Sequence, residues 1–364
     1  MKHKPNDTVR RDYFGAANTS KGFYNLFGEI FSPEKLDTIY ILKGGPGCGK
    51  STTIRRISER GTSLGYNVEN IYCSSSPTSF DGVIIPELSV AVLDGTAPHT
   101  TDPVYPAVCE TIINLGEAWD TVGAKEINDK LRELTNKKKA AYKKAYAYLS
   151  SCASANTVIR GCMTHYAIES KLSRSVERLC AKLKIKSQGK GNITKLFTDC
   201  NSALGRLHLS TFENLSSNRY FIKDFGSISS VYFECLAREL TKRGADITVA
   251  LDPLEPEYIV GIYIPSADTS FTAYDDDYAL KLDRQQLPYK VINTARFCDT
   301  EKFRKQKTYY KYAEKSRKIL FAGALRELEN AGNIHDEIEK LFYNITDYEI
   351  IEKMASKLED KIFK

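Results

Sequence analysis

The sequence predicts an α/β protein made of two tandem copies of one three-layer domain with a mainly parallel sheet, each followed by long helices. Three observations support this fold class. A strand-like run, "DTIYIL", leads into the glycine-rich stretch "ILKGGPGCGKSTT" (41–53) and then into a helical pattern. Residues 65–86 align without a gap on residues 244–265. Both halves end in long amphipathic sequence that is typical of helices.

Length and composition fit two ordinary globular domains. The chain has 364 residues, of which 42% are hydrophobic and 27% charged, so each half can bury a core. This composition excludes a disordered chain. A formal net charge of +6 permits an anionic ligand but does not by itself indicate nucleic-acid binding.

Targeting signals and cysteine usage predict an intracellular protein. We find no apolar run long enough to span a bilayer, and the basic N-terminus lacks the apolar core of a signal peptide. The nine cysteines are scattered, with no Cys-x-x-Cys pair and no paired histidine spacing, which argues against a zinc site and a secreted disulfide framework. We therefore expect reduced thiols, a cytoplasmic location and no membrane partner.

The glycine-rich stretch carries the most specific motif. Gly44 to Ser51 match GxxxxGK[ST] at every fixed position, which is the Walker A pattern, or P-loop. The segment before it is β-branched and aromatic, and the segment after it places Ile54, Ile57 and Leu64 near one helical face. Strand, glycine loop and helix follow in the order that the motif requires.

The residue types explain which ligand this loop suits. Glycines allow backbone N–H groups to approach a triphosphate, and the positive end of the following helix adds to the anion site. Lys50 is expected to reach the β- and γ-phosphates of ATP, and the Ser51 hydroxyl to hold Mg²⁺. The predicted binding residues for ATP are Gly44, Gly45, Pro46, Gly47, Cys48, Gly49, Lys50, Ser51 and Thr52.

Two alternatives concern the loop itself. A glycine-rich turn without any ligand is the plainer interpretation of the stretch. Cys48 lies at the predicted helix start, where a thiolate is favoured, so it is either a redox switch or a small residue at a variable position. The pattern favours the second interpretation of Cys48.

A third strand supplies the predicted metal-binding carboxylate. "VAVL" ends in Asp94, and an aspartate at the carboxyl end of a buried strand is what a Walker B site requires. Ser51 and Asp94 are therefore the predicted metal ligands. Asp81, Glu87 and His99 lie in loops around these strand ends, where one of them could orient water or a substrate hydroxyl. For His99, a loop histidine bonded to backbone is an equally good interpretation. The predicted catalytic residues are Lys50, Asp94 and Glu87.

The internal repeat predicts the domain boundaries. The alignment has an offset of 179 residues (65 onto 244), and residues 14–22 also match residues 197–205. We place a P-loop domain with a helical arm at 1–186 and a duplicated domain with C-terminal helices at 187–364. The polar, glycine-containing linker spans residues 184–194.

The second copy is predicted to be degenerate. At the same offset its loop "DFGSISS" keeps only Gly226 of the glycine set and lacks the lysine. It should therefore not bind a triphosphate in the P-loop manner, and it serves either to shape, cap or regulate the first site or simply to bury a shared face. At this offset Lys50 pairs with Ser229, Ser51 with Ser230 and Gly49 with Ile228, and matching "AVLDGT" to "TAYDDD" pairs Asp94 with Asp275.

Two charged stretches have an alternative functional interpretation. "NKKKAAYKKAYAY" (136–148) combines lysines and tyrosines as a nucleic-acid contact does, but its helical period favours a solvated helix face or arm. "YDDDY" (274–278) predicts an acidic loop and does not by itself indicate a metal site.

Four motifs in order, "YFGAANTSKGF", "ILKGGPGCGKST", "CSSSPTSFDGVIIPEL" and "LDGTAPH", resemble a family of bacterial tandem P-loop ATPases. These proteins, mostly from Firmicutes, are often labelled ATPase or nucleotide-kinase-like and have no assigned cellular role. The resemblance covers nearly the whole chain and implies ATP binding at 44–52 in the cytoplasm. The second half of such proteins often keeps its own Walker A motif, and this sequence departs from the family there.

These observations leave three functions open. The first is Mg²⁺-dependent ATP hydrolysis in the first domain, with a regulatory or structural second domain. The second is a nucleotide-gated interaction protein whose arms meet an unknown protein or, with weaker support, a nucleic acid. The third is a kinase acting on a small molecule, although no lid arginines typical of kinases are evident.

Overall fold

The computed structural model describes residues 8–163, 167–183, 185, 189–274 and 288–364. Within these ranges the chain is an α/β protein with two six-stranded mixed sheets, in which most neighbouring strands are parallel. Among the described helices, none combines the length and apolar character needed to cross a bilayer. The acidic stretch 274–278, apart from Tyr274, lies outside the described residues.

The first copy places the glycine-rich loop after a strand that lies next to the edge strand of its sheet. The strands follow the order β1-β5-β6-β7-β4-β8, and only β6 runs antiparallel to its neighbours. Strand β4 leads into the loop and lies between β7 and β8. The strands are β1 (Arg10–Phe14), β2 (Ala16–Thr19), β3 (Gly22–Asn25), β4 (Thr38–Lys43), β5 (Val68–Tyr72), β6 (Phe80–Ile85), β7 (Val90–Asp94) and β8 (Glu110–Asn114). The helices are α1 (Phe27–Ile30), α2 (Lys50–Ser63), α3 (Gly123–Glu126), α4 (Asn128–Met163) and α5 (Glu169–Lys182).

The second copy repeats this plan, in agreement with the internal repeat. Its sheet has the order β16-β12-β15-β14-β13-β9, and β14 is again the antiparallel strand. The strands are β9 (Ile193–Leu196), β10 (Asp199–Ser202), β11 (Gly205–His208), β12 (Asn218–Lys223), β13 (Ile247–Leu251), β14 (Ile259–Ile264), β15 (Thr269–Tyr274) and β16 (Lys290–Asn293). The helices are α6 (Thr211–Asn214), α7 (Ile228–Lys242), α8 (Thr300–Arg304), α9 (Lys307–Tyr343) and α10 (Tyr348–Ile362).

The two copies meet through reciprocal contacts that indicate an approximate two-fold axis. The Asn18 amide donates to the Asn201 carbonyl at 2.9 Å, and the Asn201 amide donates to the Asn18 carbonyl at 3.1 Å. The backbones of Phe14 and Phe197 likewise exchange N–H···O bonds of 2.8 and 3.2 Å. All four residues are fully buried, so the contact fixes the relative position of the copies.

The long helices α4 and α9, with 36 and 37 residues, form an antiparallel pair that we call the coil. Each helix of this length spans about 54 Å. Leu149 and Cys152 of α4 pack with Phe321 and Ala324 of α9 in a buried apolar seam. The basic stretch 136–148 lies in α4. Its Tyr142 and Tyr146 turn inward and stack, while Lys137, Lys139, Lys143 and Lys144 are exposed, as expected of a solvated helix face.

The last helix of each copy packs on the other copy. Leu172 and Val176 of α5 join the core around α7, although α5 belongs to residues 1–186. Leu358 and Ile362 of α10 join the core formed by α2 and the first sheet, although α10 belongs to residues 187–364. Because the coil is antiparallel, each long helix carries the chain from its own sheet to the other one.

The sheet faces also differ from the predicted three-layer arrangement of separate domains. Helix α2 covers one face of the first sheet, where Ile54 and Ile57 pack against Tyr40 and Leu42. The opposite face packs against residues of the second copy, including Leu196, Phe212 and Ala250. The two copies therefore share one core, which the amphipathic pattern of either half cannot reveal.

Candidate nucleotide site

The predicted loop has the local geometry that its glycines allow. Strand β4 ends at Lys43, and helix α2 begins at Lys50. Gly47 and Gly49 have φ angles of 70° and 80°, a region in which a side chain would be strained. Gly49 is the residue that turns the loop into the helix. The loop residues 44–49 thus place a helix N-terminus directly beyond the strand, as an anion site requires.

Lys50 and Asp94 lie together inside the loop. The Lys50 ammonium donates to the carbonyls of Gly44 and Gly45 at 3.0 and 2.7 Å and lies 3.6 Å from Asp94 Oδ2. The lysine is buried and Asp94 is partly buried. Asp94 ends β7 beside the Leu42 position of β4. The structure therefore brings together the two residues that the sequence predicts as catalytic at the loop.

Ser51 follows at the first turn of α2. Its hydroxyl accepts a bond of 2.8 Å from the Phe80 backbone N–H and keeps its own proton and a further lone pair for another partner. Thr52 is exposed at the same helix start. The neighbouring Asp94 Oδ1 accepts from the Thr96 N–H and hydroxyl at 2.8 and 2.6 Å, which fixes the orientation of the carboxylate.

Asp81 and His99 join Asp94 in one cluster. Their carboxylate oxygens and ring nitrogens offer ligand atoms within 4.8 Å of one another. His99 Nδ1 faces the Asp94 carbonyl at 2.9 Å, and His99 Nε2 lies 3.5 Å from Asp81 Oδ2. Burial opposes a charge on His99, but the Asp81 and Asp94 carboxylates outweigh it and raise the pKa of the imidazole. Oxygen-rich groups of this kind suit a hard divalent cation such as Mg²⁺.

Glu87 does not join this cluster. It lies in the short 3₁₀ helix Pro86–Leu88, just before β7 starts, whereas Asp94 lies at the end of β7. Its carboxylate accepts bonds of 3.0 and 2.5 Å from the backbone and side chain of Asn67. Glu87, which the sequence predicts to be catalytic, thus lies at the opposite end of the strands from the loop. Strand β6 runs antiparallel to its neighbours. The residues that follow it therefore lie at the end of the sheet opposite the carboxyl ends of the parallel strands.

Cys48 has the environment of an inert thiol. Its side chain is buried, and the Sγ donates to the Gly45 carbonyl at 2.9 Å. Burial raises the pKa of the thiol, and the nearby Lys50 ammonium offsets this only in part. The helix start therefore does not produce the thiolate on which the redox interpretation depended.

The loop is covered by residues from the far end of the chain. A Cβ atom built on Gly45 would lie 2.9 Å from the Phe342 ring and 3.1 Å from the Trp119 ring. The same construction on Gly47 meets the Glu339 backbone at 3.0 Å, and on Gly49 it meets Ile351 at 3.0 Å. These close approaches are a second reason for glycine in the loop, besides access for phosphate.

The first residue of α10 also forms a hydrogen bond to the loop. The Tyr348 hydroxyl donates to the Gly47 carbonyl at 2.7 Å. Trp119 presents an indole N–H that is buried without an acceptor in the described part of the chain, beside Gly45. Sequence reasoning missed Glu339, Phe342 and Tyr348 because about 300 residues separate them from the loop, and no local pattern marks them.

The second loop differs from the first in length and charge. Four residues, 224–227, join β12 to α7, compared with the six residues 44–49. Asp224 accepts bonds of 2.9 Å from the backbone N–H groups of Ser227 and Ser229, so a carboxylate of the chain occupies the helix N-terminus. Ser227, with φ 68°, stands where the first copy has Gly49.

The strand register corrects two pairings from the sequence alignment. The helices start at Lys50 and Ile228, so Lys50 corresponds to Ile228 rather than to Ser229. In the parallel pairs, Asp94 lies beside Leu42, and Ala273 lies beside the equivalent Ile222. Ala273 thus replaces the carboxylate of Asp94, whereas Asp275 lies outside the described residues. Lys50 is misaligned by one residue because the second loop is two residues shorter. The pairing of Asp94 with Asp275 has a different cause, a two-residue shift away from the offset of 179, which itself places Ala273 opposite Asp94.

A cavity of about 840 Å³ lies between the second loop and the coil. Its charged walls are largely paired: Arg160 meets Glu255 at 2.5 Å, and His208 lies 3.2 Å from Asp199. Burial opposes charge on both members of the second pair, but their mutual attraction raises the pKa of His208 to about 10 and lowers that of Asp199 to about 2. Ala16 and Asn25 stand at the corresponding hairpin positions of the first copy, which therefore lacks this pair.

Searches for related proteins add no family assignment. No family model, no curated protein and no solved structure matches this chain.

Proposed function

We propose that the first copy binds ATP with Mg²⁺ at residues 44–52 and hydrolyses it. The observation that carries this proposal is the position of Lys50, which lies buried inside a glycine loop at a helix N-terminus and 3.6 Å from Asp94. A buried lysine beside a carboxylate and carbonyl oxygens is held where a polyphosphate would meet it. The resemblance to tandem P-loop ATPases points to the same ligand.

The residues of the loop have separate roles in this proposal. Lys50 exchanges the Gly44 and Gly45 carbonyls for the β- and γ-phosphate oxygens, and the backbone N–H groups of the loop surround the phosphates. Ser51 and Asp94 hold Mg²⁺, which when bound neutralises phosphate charge. Asp81 and His99 orient the Asp94 segment through the contacts described above.

The donor set fits both ATP and Mg²⁺ on independent grounds. The Ser51 hydroxyl is bonded on one side only, and the buried Trp119 indole N–H has no acceptor among the described residues. A buried donor without a partner costs about 1–3 kcal/mol, and a nucleotide oxygen near Gly45 is one way of removing that cost.

A nucleotide-gated interaction protein is the second candidate, and one observation favours it. The end of α9 and the start of α10 pack on Gly45, Gly47 and Gly49, so an occupied loop would act on the coil. In that case turnover is slow until a partner engages the coil, whereas the first proposal expects basal turnover.

Phosphate release from ATP, measured with and without Mg²⁺, tests the proposal. The wild-type protein should release phosphate only with Mg²⁺, and Lys50→Ala should abolish release and weaken calorimetric binding by about tenfold or more. Binding without turnover would support the interaction function, and equal ATP binding by wild type and Lys50→Ala would contradict both.

A further inference from the structure

Three titratable side chains from the coil lie near the first loop. None of them belongs to the predicted nucleotide motifs, although Lys138 lies in the basic stretch 136–148. Lys138 of α4 donates to His335 Nδ1 of α9 at 3.3 Å. His335 Nε2 lies 3.6 Å from Glu339 Oε1, one turn further along α9. Glu339 in turn packs its backbone and Cβ on Gly47, at 3.0–3.4 Å from a Cβ built there. A continuous chain of contacts thus joins the coil to the loop; we call these three residues the coil cluster.

The bonding pattern of the coil cluster fixes its charges. Burial, together with the nearby Lys138 ammonium, lowers the pKa of His335 to about 4, so the imidazole is neutral near pH 7. A neutral ring that accepts from Lys138 at Nδ1 carries its proton on Nε2, which faces Glu339. The cluster therefore orients one cation and one carboxylate toward the loop.

Glu339 lies where the loop offers anion-binding groups. Burial and Asp336 raise the pKa of this carboxyl, while the Gly47 N–H and the Lys50 and Lys138 ammonium groups act in the opposite direction. Glu339 therefore packs on Gly47, at 3.0–3.4 Å from a Cβ built there, and lies within electrostatic reach of the Lys50 and Lys138 ammonium groups. Its side chain is 46% exposed, so it can leave the loop without opening a buried core.

We propose that the coil cluster is a terminal-phosphate sensor. Glu339 covers the Gly47 and Lys50 donors until a nucleoside triphosphate binds, and Lys138 then faces the terminal phosphate as a second cation beside Lys50. This inference rests on the proposed binding of ATP to the first loop and adds to it the group that distinguishes a triphosphate from a diphosphate.

The charge of the terminal phosphate explains why this is the group that the coil cluster recognises. An α- or β-phosphate is bound by the helix N-terminus and Lys50, whether or not a third phosphate follows. Only the terminal phosphate adds negative charge toward the coil, where it repels Glu339 and attracts Lys138. Because Glu339 belongs to the second copy, that copy takes part in nucleotide recognition without binding a nucleotide itself.

Calorimetric titration of the full chain with Mg²⁺–adenylyl imidodiphosphate and with Mg²⁺–ADP tests the inference. Lys138→Gln should weaken the triphosphate analogue by about tenfold, the effect of losing one charge-assisted hydrogen bond, and leave ADP within about twofold. Glu339→Gln should strengthen the analogue by about threefold or more, since a neutral amide competes less for the donors, and leave ADP unchanged. Lys139→Gln, on the exposed neighbouring position, is the matched control and should change neither affinity.

The Glu339→Gln arm keeps the test decisive if Lys138→Gln folds poorly, because a gain in affinity does not arise from misfolding. Trp119 is the only tryptophan of the chain and lies beside Phe342 of α9, with ring centroids 5.7 Å apart. Its fluorescence should therefore change more with the triphosphate analogue than with ADP.

Equal losses for both nucleotides in Lys138→Gln, or unchanged analogue affinity in Glu339→Gln, would overturn the sensor and leave ATP binding intact. Failure of the wild-type chain to bind either nucleotide would instead remove the proposed function and the sensor with it.

Discussion

Asp224 of the second copy stands at the loop position that Gly44 occupies in the first. Both residues directly follow the lysine that ends the strand before the loop, Lys223 in one copy and Lys43 in the other. The Asp224 carboxylate bonds to two backbone N–H groups at the start of α7, whereas Gly44 contributes only a carbonyl, which accepts from Lys50. The same helix N-terminus is thus closed by a side chain in one copy and left for a ligand in the other.

One ATP should therefore bind per chain, at the first loop. Calorimetry with a nonhydrolysable analogue should give a stoichiometry near one, and Lys50→Ala should weaken binding by about tenfold or more because a charge-assisted contact is lost. Asp224→Ala should leave the stoichiometry unchanged, since Ile228 still replaces the lysine. Two sites in the wild-type chain would show that the second loop binds nucleotide in spite of Asp224.

Asp94→Asn should separate metal-dependent turnover from nucleotide binding. The amide retains the size of the carboxylate but weakens metal ligation, so Mg²⁺-dependent phosphate release should fall at least about tenfold. Affinity for ATP measured in EDTA should change little, because Lys50 and the backbone N–H groups of the loop bind the phosphates without a metal ion. Full Mg²⁺-dependent activity of this variant would assign the metal ligand to another residue.

Glu87→Gln and Asp81→Asn form a matched pair that tests which acidic residue supports the site. Glu87 lies at the far edge of the sheet, so its change should leave turnover within about twofold, as for most surface substitutions. Asp81 is buried beside His99 and Asp94, and its change should slow Mg²⁺-dependent turnover clearly. The reverse order of effects would restore the role that the sequence suggested for Glu87.

The pair of His208 and Asp199 should make the stability of the second copy fall at alkaline pH. The pKa of His208 lies above its ordinary 6.5, at about 10, so the stabilisation is complete below pH 6.5 and is lost as the pH rises toward 10. His208→Gln should lower the free energy of unfolding at pH 7 by about 3 kcal/mol, since it removes the nearer cation from a buried carboxylate and leaves Arg206 at 3.9 Å. Denaturant titrations at pH 7 and pH 10 should show this difference shrinking, and a difference that is constant across the range would exclude the ionised pair.

Helix α5 packs on the second copy and α10 on the first. We therefore expect that truncating a core side chain of either helix destabilises the half on which that helix packs. Leu358→Ala in α10 removes a buried side chain that packs with α2, at a cost of about 2–5 kcal/mol. Hydrogen exchange should accelerate in α2 of the first copy, whereas Leu172→Ala in α5 should accelerate exchange in α7. Acceleration confined to the half that carries the substitution would contradict the exchange of helices.

Much of the first site follows from local sequence. The strand, the loop and the helix around Lys50 are encoded by residues close to one another, and the turn at Gly49 requires a residue that tolerates a positive φ. Asp94 could be predicted because parallel strands have their carboxyl ends on the same side of a sheet. Glu87 was misplaced by the same rule, because an antiparallel strand precedes it, and a strand's direction depends on its neighbours rather than on its own residues.

By itself, the sequence determined that the chain holds two related α/β halves, that one half has the lysine and glycines of a phosphate loop, and that the other half has lost them. These features are local or periodic, so the residues record them directly. Only the tertiary structure decided that the halves share a core, that α5 and α10 change places, and that Glu339, Phe342 and Tyr348 cover the loop. The physical reason is the antiparallel coil: packing of α4 against α9 sets where each long helix delivers the chain, and amphipathicity specifies that a helix face is buried but not against which partner.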